Sequence, residues 1–475
     1  MKVTVQIVTQ TDDGQDMTKE VACVERAELT PATFGVSLAE GKHILEAIQE
    51  VVVEWQMHAY LQQQRHCPHC GKVRHSKGTH HIVFRTVFGA LPVESPRLMH
   101  CACQPHDTSS FSPLAALLPE HTTPELLYLE TKWAALTSYG TSVKLLQDVL
   151  PLDEPLQTVT IRNHVFTLAE RLEDALGDEH SSFIEGCPRD WGELPIPDGP
   201  LTVGIDGGYV KAQGSAQGWF EVIAGKSILA FERNDELSVP SSKCFAFVQT
   251  YDQKPKRRLF DLLQSQGLHM NQQIEFLSDG GETVRALQLY LSPEAEHLLD
   301  WFHITMRLTT LTQTAKGLPD KTGMEEARTL RGDVLRELER IKWFLWHGNV
   351  FQALQELRSV EGDLEAAVYD SDEPIARKLC KAVQEFTTYI ERNGGFIPNY
   401  GERYQNGERI STGFVESTVN YVVSKRMVKK QQMRWSQRGA HLLLQIRTRV
   451  LNGEWETTFR QWYPGFRAHT TCAVA

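Results

Sequence analysis

The sequence predicts a mixed α/β core interrupted by an all-helical insertion, with a cysteine-bearing hairpin module and a helical region ahead of it. Three observations carry that expectation. The runs LTVGIDGG, GWFEVIAG and CFAFVQTY are short, β-rich and close enough for a meander; an amphipathic helix, IEFLSDGG, a second helix and LLDWFH follow. That order of strands and helices builds a mixed sheet flanked by helices. From Ile304 to about Phe396 the pattern is almost wholly helical, and four of the nine cysteines fall within 37 residues.

The elements divide the chain as follows. Residues 1–65 hold an alternating strand, KVTVQIVT, a partner near Val21 to Glu25, and a long helix from Leu38 to Gln64. Residues 66–110 form the cysteine module around a hairpin that turns at Gly89. Residues 111–175 hold three helices, Thr123 to Thr137, Thr141 to Leu150 and Thr158 to Asp174, the first two separated by SYG. Residues 176–200, rich in acid, Pro and Gly, read as a linker. Residues 201–303 are the first part of the core, 304–405 the helical insertion, and 406–475 the second part of the core, with a helix from Thr412 and a basic stretch.

A hydrophobic content of 41% with 23% charged residues supports sizeable cores in a chain of 475 residues. No apolar run is long enough to span a bilayer, and MKVTVQIVTQTDDGQ turns polar too early for a signal peptide, so a cytoplasmic protein with reduced cysteines is expected. The net charge of −11 speaks against a nucleic-acid partner, but its distribution is uneven. Between Ser417 and Gly453 there is no Asp or Glu, while Lys425, Arg426, Lys429, Lys430, Arg434, Arg438, Arg447 and Arg449 all fall there. Such a run is either a solvated face or a phosphate-contacting one.

Asp206 ends LTVGID and Asp279 ends IEFLSD, and each is followed by two glycines. Sites in open α/β sheets lie outside the carboxyl ends of strands, and glycines there admit close approach of a ligand. Asp-Gly also makes a simple tight turn. Two hard cations ~3.5–4 Å apart need two or three bridging carboxylates. Glu416, in a helix that Thr412 can cap, is the best third; Asn420 lies one turn on, and Glu402 and Glu408 are rivals in a Gly/Asn-rich loop.

This order, Asp206 on a first strand, Asp279 on a fourth and Glu416 on a late helix, resembles the DDE transposases with an RNase H-like catalytic core. Asp300-Trp301-Phe302-His303 is similar to the D-x-x-H motif that precedes a large helical insertion in Mutator-like transposases and related bacterial insertion-sequence enzymes. The run FVES…N…KRM…K…M.WS resembles the ISKra-type insertion-sequence transposases, over roughly Leu201 to Trp455. The resemblance implies an α/β RNase H-like core in which Asp206, Asp279 and Glu416 bind two Mg²⁺ or Mn²⁺ for cleavage and strand transfer of double-stranded DNA. It implies terminal inverted repeats and target DNA as partners, and a homodimer or larger assembly to bring two ends together. Asp300, His303 and Asn420 would lie at the mouth of the site, and Lys425, Arg426, Lys429, Lys430, Arg434 and Arg438 would meet phosphates. His303 satisfied beneath the insertion and Trp435 in the core, rather than on a base, are the structural alternatives. The other functional classes are a junction resolvase or RNase H, and a non-catalytic or domesticated DNA-binding protein.

Cys67-Pro-His-Cys70 and Cys101-Ala-Cys103 flank the hairpin as two ligand pairs in a zinc-ribbon-like layout. The second pair is C-x-C rather than C-x-x-C, which leaves His69 or His100 as substitute ligands. The three helices that follow are helix-turn-helix-like, with Arg162, Asn163 and His164 near the amino end of the third, where base contacts lie; three short helices also pack together without touching DNA.

Overall fold

A computed structural model describes the chain except for residues 11–15, 104–108, 153–155, 181–182, 184–193, 195–200, 215–217, 229–241, 282–294, 320–328, 372–373, 412, 429–432 and 468–475. It divides into two compact units: Met1–Ala169 with Gly453–Ala475, and Glu170–Asn452.

The first unit opens with an antiparallel pair, β1 (Lys2–Gln10) and β2 (Asp16–Glu25). Helix α1 (Leu38–Gln64) keeps the bounds that its periodicity predicts because its start is specified chemically. Ser37 and Glu40 exchange side-chain-to-backbone hydrogen bonds in a capping box, and Arg26 grips the Glu40 carboxylate at 2.7 Å. β3 (Ser76–Thr86) and β4 (Gly89–Met99) form the expected hairpin, with Thr86 opposite Gly89 and a short β5 (Ser110–Phe111) beside β4. Val53 of α1 packs with Phe84, Val93 and Leu114 into a small core. Four helices follow: α2 (Pro113–Leu117), α3 (Pro124–Leu136), α4 (Tyr139–Val149) and α5 (Thr158–Ala175). The SYG tripeptide is less of a break than expected. Ser138 caps α4, accepting from the Thr141 amide at 3.1 Å, so Tyr139 and Gly140 belong to the helix.

The second unit is built on a five-stranded sheet. β6 (Leu201–Lys211), β7 (Trp219–Ile228) and β8 (Lys243–Val248) form the antiparallel meander; β9 (Ile274–Ser278) runs parallel to β6, and β10 (Glu296–Leu299) parallel to β9. The spatial order is β10-β9-β6-β7-β8. Helix α6 (Pro255–Gln264) connects β8 to β9 and covers one face, where Leu259 and Leu263 pack on Val203, Ile205, Ile223 and Phe245. The helix expected from Glu282 to Leu291 lies outside the described residues.

The helical insertion is present as α7 (Trp301–Ala315), α8 (Leu330–Trp346), α9 (Val350–Ser371), α10 (Pro374–Asn393), a 3₁₀ turn (Gly394–Phe396) and α11 (Tyr400–Gln405). Ile304, Leu338, Leu357 and Val383 tie the four long helices into one core that also takes in Leu299 of the sheet. The chain returns through α12 (Gly413–Val419), a π-helical segment (Asn420–Val428) and α13 (Gln437–Leu451). α13 lies along β8, where the Asn452 side chain exchanges hydrogen bonds with the Cys244 backbone at 2.8 and 2.9 Å.

Two boundaries differ from expectation. The final helix, α14 (Trp455–Trp462), belongs to the first unit rather than to the sheet domain. Trp455 is buried there and its indole N–H donates to Thr131 of α3 at 3.3 Å. The start of the supposed linker is packed rather than free: Leu176 and Phe183 are buried, and the Phe183 ring stacks on Phe260 of α6 at 5.0 Å. Acid and Pro/Gly content marked this stretch as a linker, but two apolar side chains suffice to anchor it. No helix among the described residues is long and apolar enough to cross a membrane.

Candidate active site

The face of β6 opposite α6 carries Gly204, Asp206 and Gly208, and α12 lies directly on it. A Cβ on Gly204 would overlap the Val415 side chain and sit 2.8 Å from Phe414 Cζ; one on Gly208 would sit 2.9 Å from Val419 Cγ1. Val415 and Val419 therefore seat α12 in the space that two missing side chains leave. Asp206 stands between those two glycines, and Glu416 between those two valines.

The electrostatics show that these groups share one neighbourhood. The Asp206 carboxyl is pushed up by burial, eased by the Gly207 amide that donates to its Oδ1 at 2.7 Å and by His303, and raised again by Asp279 and Asp300. Glu416 is likewise raised by burial, lowered by His303, and raised by Asp206 and Asp300. Asp279 follows β9 directly; its Oδ1 accepts from the Gly281 amide at 2.9 Å and its carbonyl accepts from the Tyr389 hydroxyl of α10 at 3.0 Å. Asp300, fully buried, caps α7 by accepting from the Phe302 amide at 2.8 Å, and its own amide donates to the Ser278 carbonyl at 2.9 Å. His303 is half-buried, its Nε2 3.6 Å from Asp300 Oδ2, and among the described residues that nitrogen makes no hydrogen bond. Asn420 is half-buried at the first residue of the π-helical segment, four residues beyond Glu416. Thr412, the expected cap, lies outside the described residues.

One carboxylate near these acids, on the opposite face of β6 from Asp206, has no counterpart among the residues expected from sequence. Glu221 of β7 pairs across from Tyr209, and its Oε1 occupies the space beside Gly207, 2.6 Å from where a Cβ would be. Burial, then Asp279 and Asp206, push its carboxyl up. The available signal was a lone acid in the apolar run GWFEVIAG. The rivals for the third position drop out. Arg403 holds Glu408 at 3.0 Å together with Glu275 and Glu296, and Glu402 is an exposed residue in the first turn of α11.

The carboxylate oxygens are of the kind that suits Mg²⁺ or Mn²⁺, and the repulsion of Asp206 by Asp279 and Asp300, and of Glu416 by Asp206 and Asp300, is of the kind a divalent cation relieves. They are spread wider than a single ion's shell. Among the described residues, only Cys67, Cys70, Cys101 and Cys103, and separately Glu173, Asp252 and His441, bring three or more ligand atoms within 4.8 Å. In the second of these groups the positive charge is an arginine: Arg258 donates to Asp252 at 3.0 Å and to Glu173 at 2.9 Å.

No protein-family model and no characterised protein sequence matches the chain.

The basic residues separate into three groups. Lys425 and Arg434 are exposed, as are Arg162 and Asn163 on α5. Arg438 is exposed but paired with Glu170. Arg426 corrects the expectation of a phosphate contact: it is fully buried, with its guanidinium 5.2 Å over the Trp435 ring. Trp435 is itself buried, as core packing requires. Lys429 and Lys430 lie outside the described residues. Arg447 is also buried, donating to the Val422 carbonyl at 2.6 Å. His164 turns inward to the buried Glu130.

The cysteine module can hold a zinc ion. Cys67 and Cys103 Sγ lie 3.5 Å apart and Cys70 and Cys101 Sγ 3.4 Å apart, near the roughly 3.8 Å sulfur spacing of a tetrahedral Zn–S site. Backbone amides of His69 and Cys70 lower the Cys67 thiol to about 6, while the neighbouring Cys101 and Cys67 thiols push Cys103 up to about 12. The C-x-C pair converges as well as the C-x-x-C pair, and the His100 ring instead stacks on Phe111 at 4.7 Å.

Proposed function

We propose that the chain is a DNA transposase of the DDE type, acting through an RNase H-like core whose Asp206, Asp279 and Glu416 hold two divalent metals. The observation that carries the reading is the seating of α12 on β6, which brings Glu416 near Asp206, on the strand next to the one that Asp279 directly follows. The sheet supports it: a three-stranded antiparallel meander is extended by two parallel strands, with Asp206 midway along the first strand and Asp279 just past the end of the fourth, a layout that an RNase H-like core would use. The insertion after Asp300-Trp301-Phe302-His303 supports the Mutator-like and ISKra-type subdivision.

Bound metals would supply an activated oxygen nucleophile and charge neutralisation at the scissile phosphate. The chain's own groups orient them. The Gly207 and Gly281 amides fix the Asp206 and Asp279 carboxylates, and buried Asp300 holds the start of α7 so that His303 faces the acids. Lys425 and Arg434 would contact the DNA backbone, Arg162 and Asn163 would read DNA from the first unit, and the four cysteines would carry one structural zinc.

The test is Mg²⁺- or Mn²⁺-dependent nicking of duplex DNA carrying the sequences that flank the encoding gene. Binding without nicking at any metal concentration would refute catalysis and favour a non-catalytic DNA-binding protein, for which the wide spacing of the carboxylates speaks.

A further inference from the structure

A cation lies near Asp279 and Asp300, all three acting on Tyr389, and among the described residues it forms no ion pair with either acid. Arg307 lies on α7, one turn beyond His303 and on the same side of the helix. It is exposed, and its guanidinium carbon sits 4.2 Å over the ring of Tyr389. Other arginines of this unit are engaged by carboxylates: Arg258 by Asp252 and Glu173, Arg403 by Glu275, Arg438 by Glu170, Arg449 by Asp261. Among the described residues Arg307 has no ion-pair partner, although Asp279 and Asp300 act on the same tyrosine that it covers.

The tyrosine explains why. Its hydroxyl donates to the Asp279 carbonyl at 3.0 Å, which fixes the ring at the end of β9 while α10 supplies its backbone. Contact with that ring restrains the guanidinium beside Asp279 while leaving the side chain exposed. A planar cation held at the rim of a carboxylate cluster fits a phosphodiester: its fork matches two phosphate oxygens, while the acids lie where metals would meet the same phosphate.

We propose that Arg307 is a substrate-binding residue that grips the phosphodiester backbone beside the scissile bond, and that Tyr389 is the positioning residue that sets it and Asp279 in register. This rests on the transposase reading above, and it gives the helical insertion a role in catalysis, because α7 and α10 deliver the clamp to the sheet.

The experiment uses the full chain and duplex DNA carrying the gene's flanking sequences. Binding is followed by fluorescence anisotropy across a salt series with Ca²⁺ in place of Mg²⁺. Arg307→Gln is expected to bind about tenfold more weakly and to lower the slope of log affinity against log salt by about one, with an unchanged melting temperature. Arg307→Lys should restore the slope. Tyr389→Phe keeps the ring, and so the slope, but should slow metal-dependent nicking through Asp279. Wild-type affinity and slope in Arg307→Gln would overturn the clamp while leaving the transposase reading intact. A wild-type chain that binds but never nicks DNA overturns that reading and the placement beside a scissile bond, while the slope still decides whether Arg307 grips the backbone. No DNA binding by the wild type overturns both.

Discussion

Val415 rests on the backbone of Gly204, closer than any side chain at that position would allow. The contact joins the strand that carries Asp206 to the helix that carries Glu416, so packing and chemistry are specified by the same few residues. Gly204→Ala should therefore destabilise the second unit by about 1–3 kcal/mol, through overpacking against Val415 and Phe414. Gly208→Ala, against Val419 alone, should cost less. Urea unfolding measures both, and a Gly204→Ala chain as stable as the parent would show that α12 is not seated there.

The raised Asp206 and Glu416 carboxyls carry a second expectation. A carboxyl whose folded pKa lies above its unfolded value contributes stability at low pH, and that contribution is lost as pH rises through the folded value. At neutral pH, without metal, the pair is a liability. Asp206→Asn and Glu416→Gln are expected to raise the metal-free melting temperature while abolishing nicking and sparing DNA binding. A fall in melting temperature for both, or retained nicking in either, would count against the site.

Zinc analysis of the purified protein should find about one ion per chain, since all four sulfurs converge. Cys101→Ser and Cys103→Ser should each lose it as fully as Cys67→Ser, and chelation should lower the melting temperature of the first unit. Zinc loss in His100→Ala, with Cys103→Ser unaffected, would instead make the histidine a ligand.

Glu173 sets a pH limit of opposite sign. Burial alone would raise its carboxyl, but hydrogen bonding to His441 and the charge of Arg258 hold it down at about 2. Its contribution is present above the unfolded carboxylate range and is lost as pH falls from about 4.3 toward 2. Glu173→Gln should therefore lose on the order of 1–3 kcal/mol at neutral pH, and the deficit should shrink across that window. Thermal melts at stepped pH decide this: a deficit constant with pH would mean the side chain acts by packing alone.

What could be read in advance was whatever the chain encodes locally. The periodicity from Leu38 to Gln64 sits inside one helix with its own capping box, so its bounds needed no tertiary information. Asp279 lies where its sequence predicts, just past the end of its strand, but β6 does not end at Asp206: the two glycines after it stay in the ladder and the strand runs on to Lys211, because pairing with β7 continues through them. Glu221 was not legible, because its approach to Gly207 depends on the register between β6 and β7, which no local pattern states. Arg426 misled for a related reason. The segment from Asn420 to Val428 winds as a π-helix, and a basic residue inside it turns inward onto Trp435 instead of following its neighbour Lys425 to the surface. Arg307 and Tyr389 come from helices that sequence alone could count but not orient.

The return of α14 to α3 has a consequence for how the protein is made. Tyr128 meets Phe459 edge to face at 5.4 Å, and Trp455 closes over Thr131, so the first unit takes its last structural piece from the far end of the chain. On the ribosome, domains ordinarily finish in the order in which they emerge. Here the unit that begins first must wait, its apolar α3 surface uncovered, until the whole of the second unit has been translated. That interval is when a nascent copy is most exposed to aggregation, and a chain cut at Asn452 would never leave it.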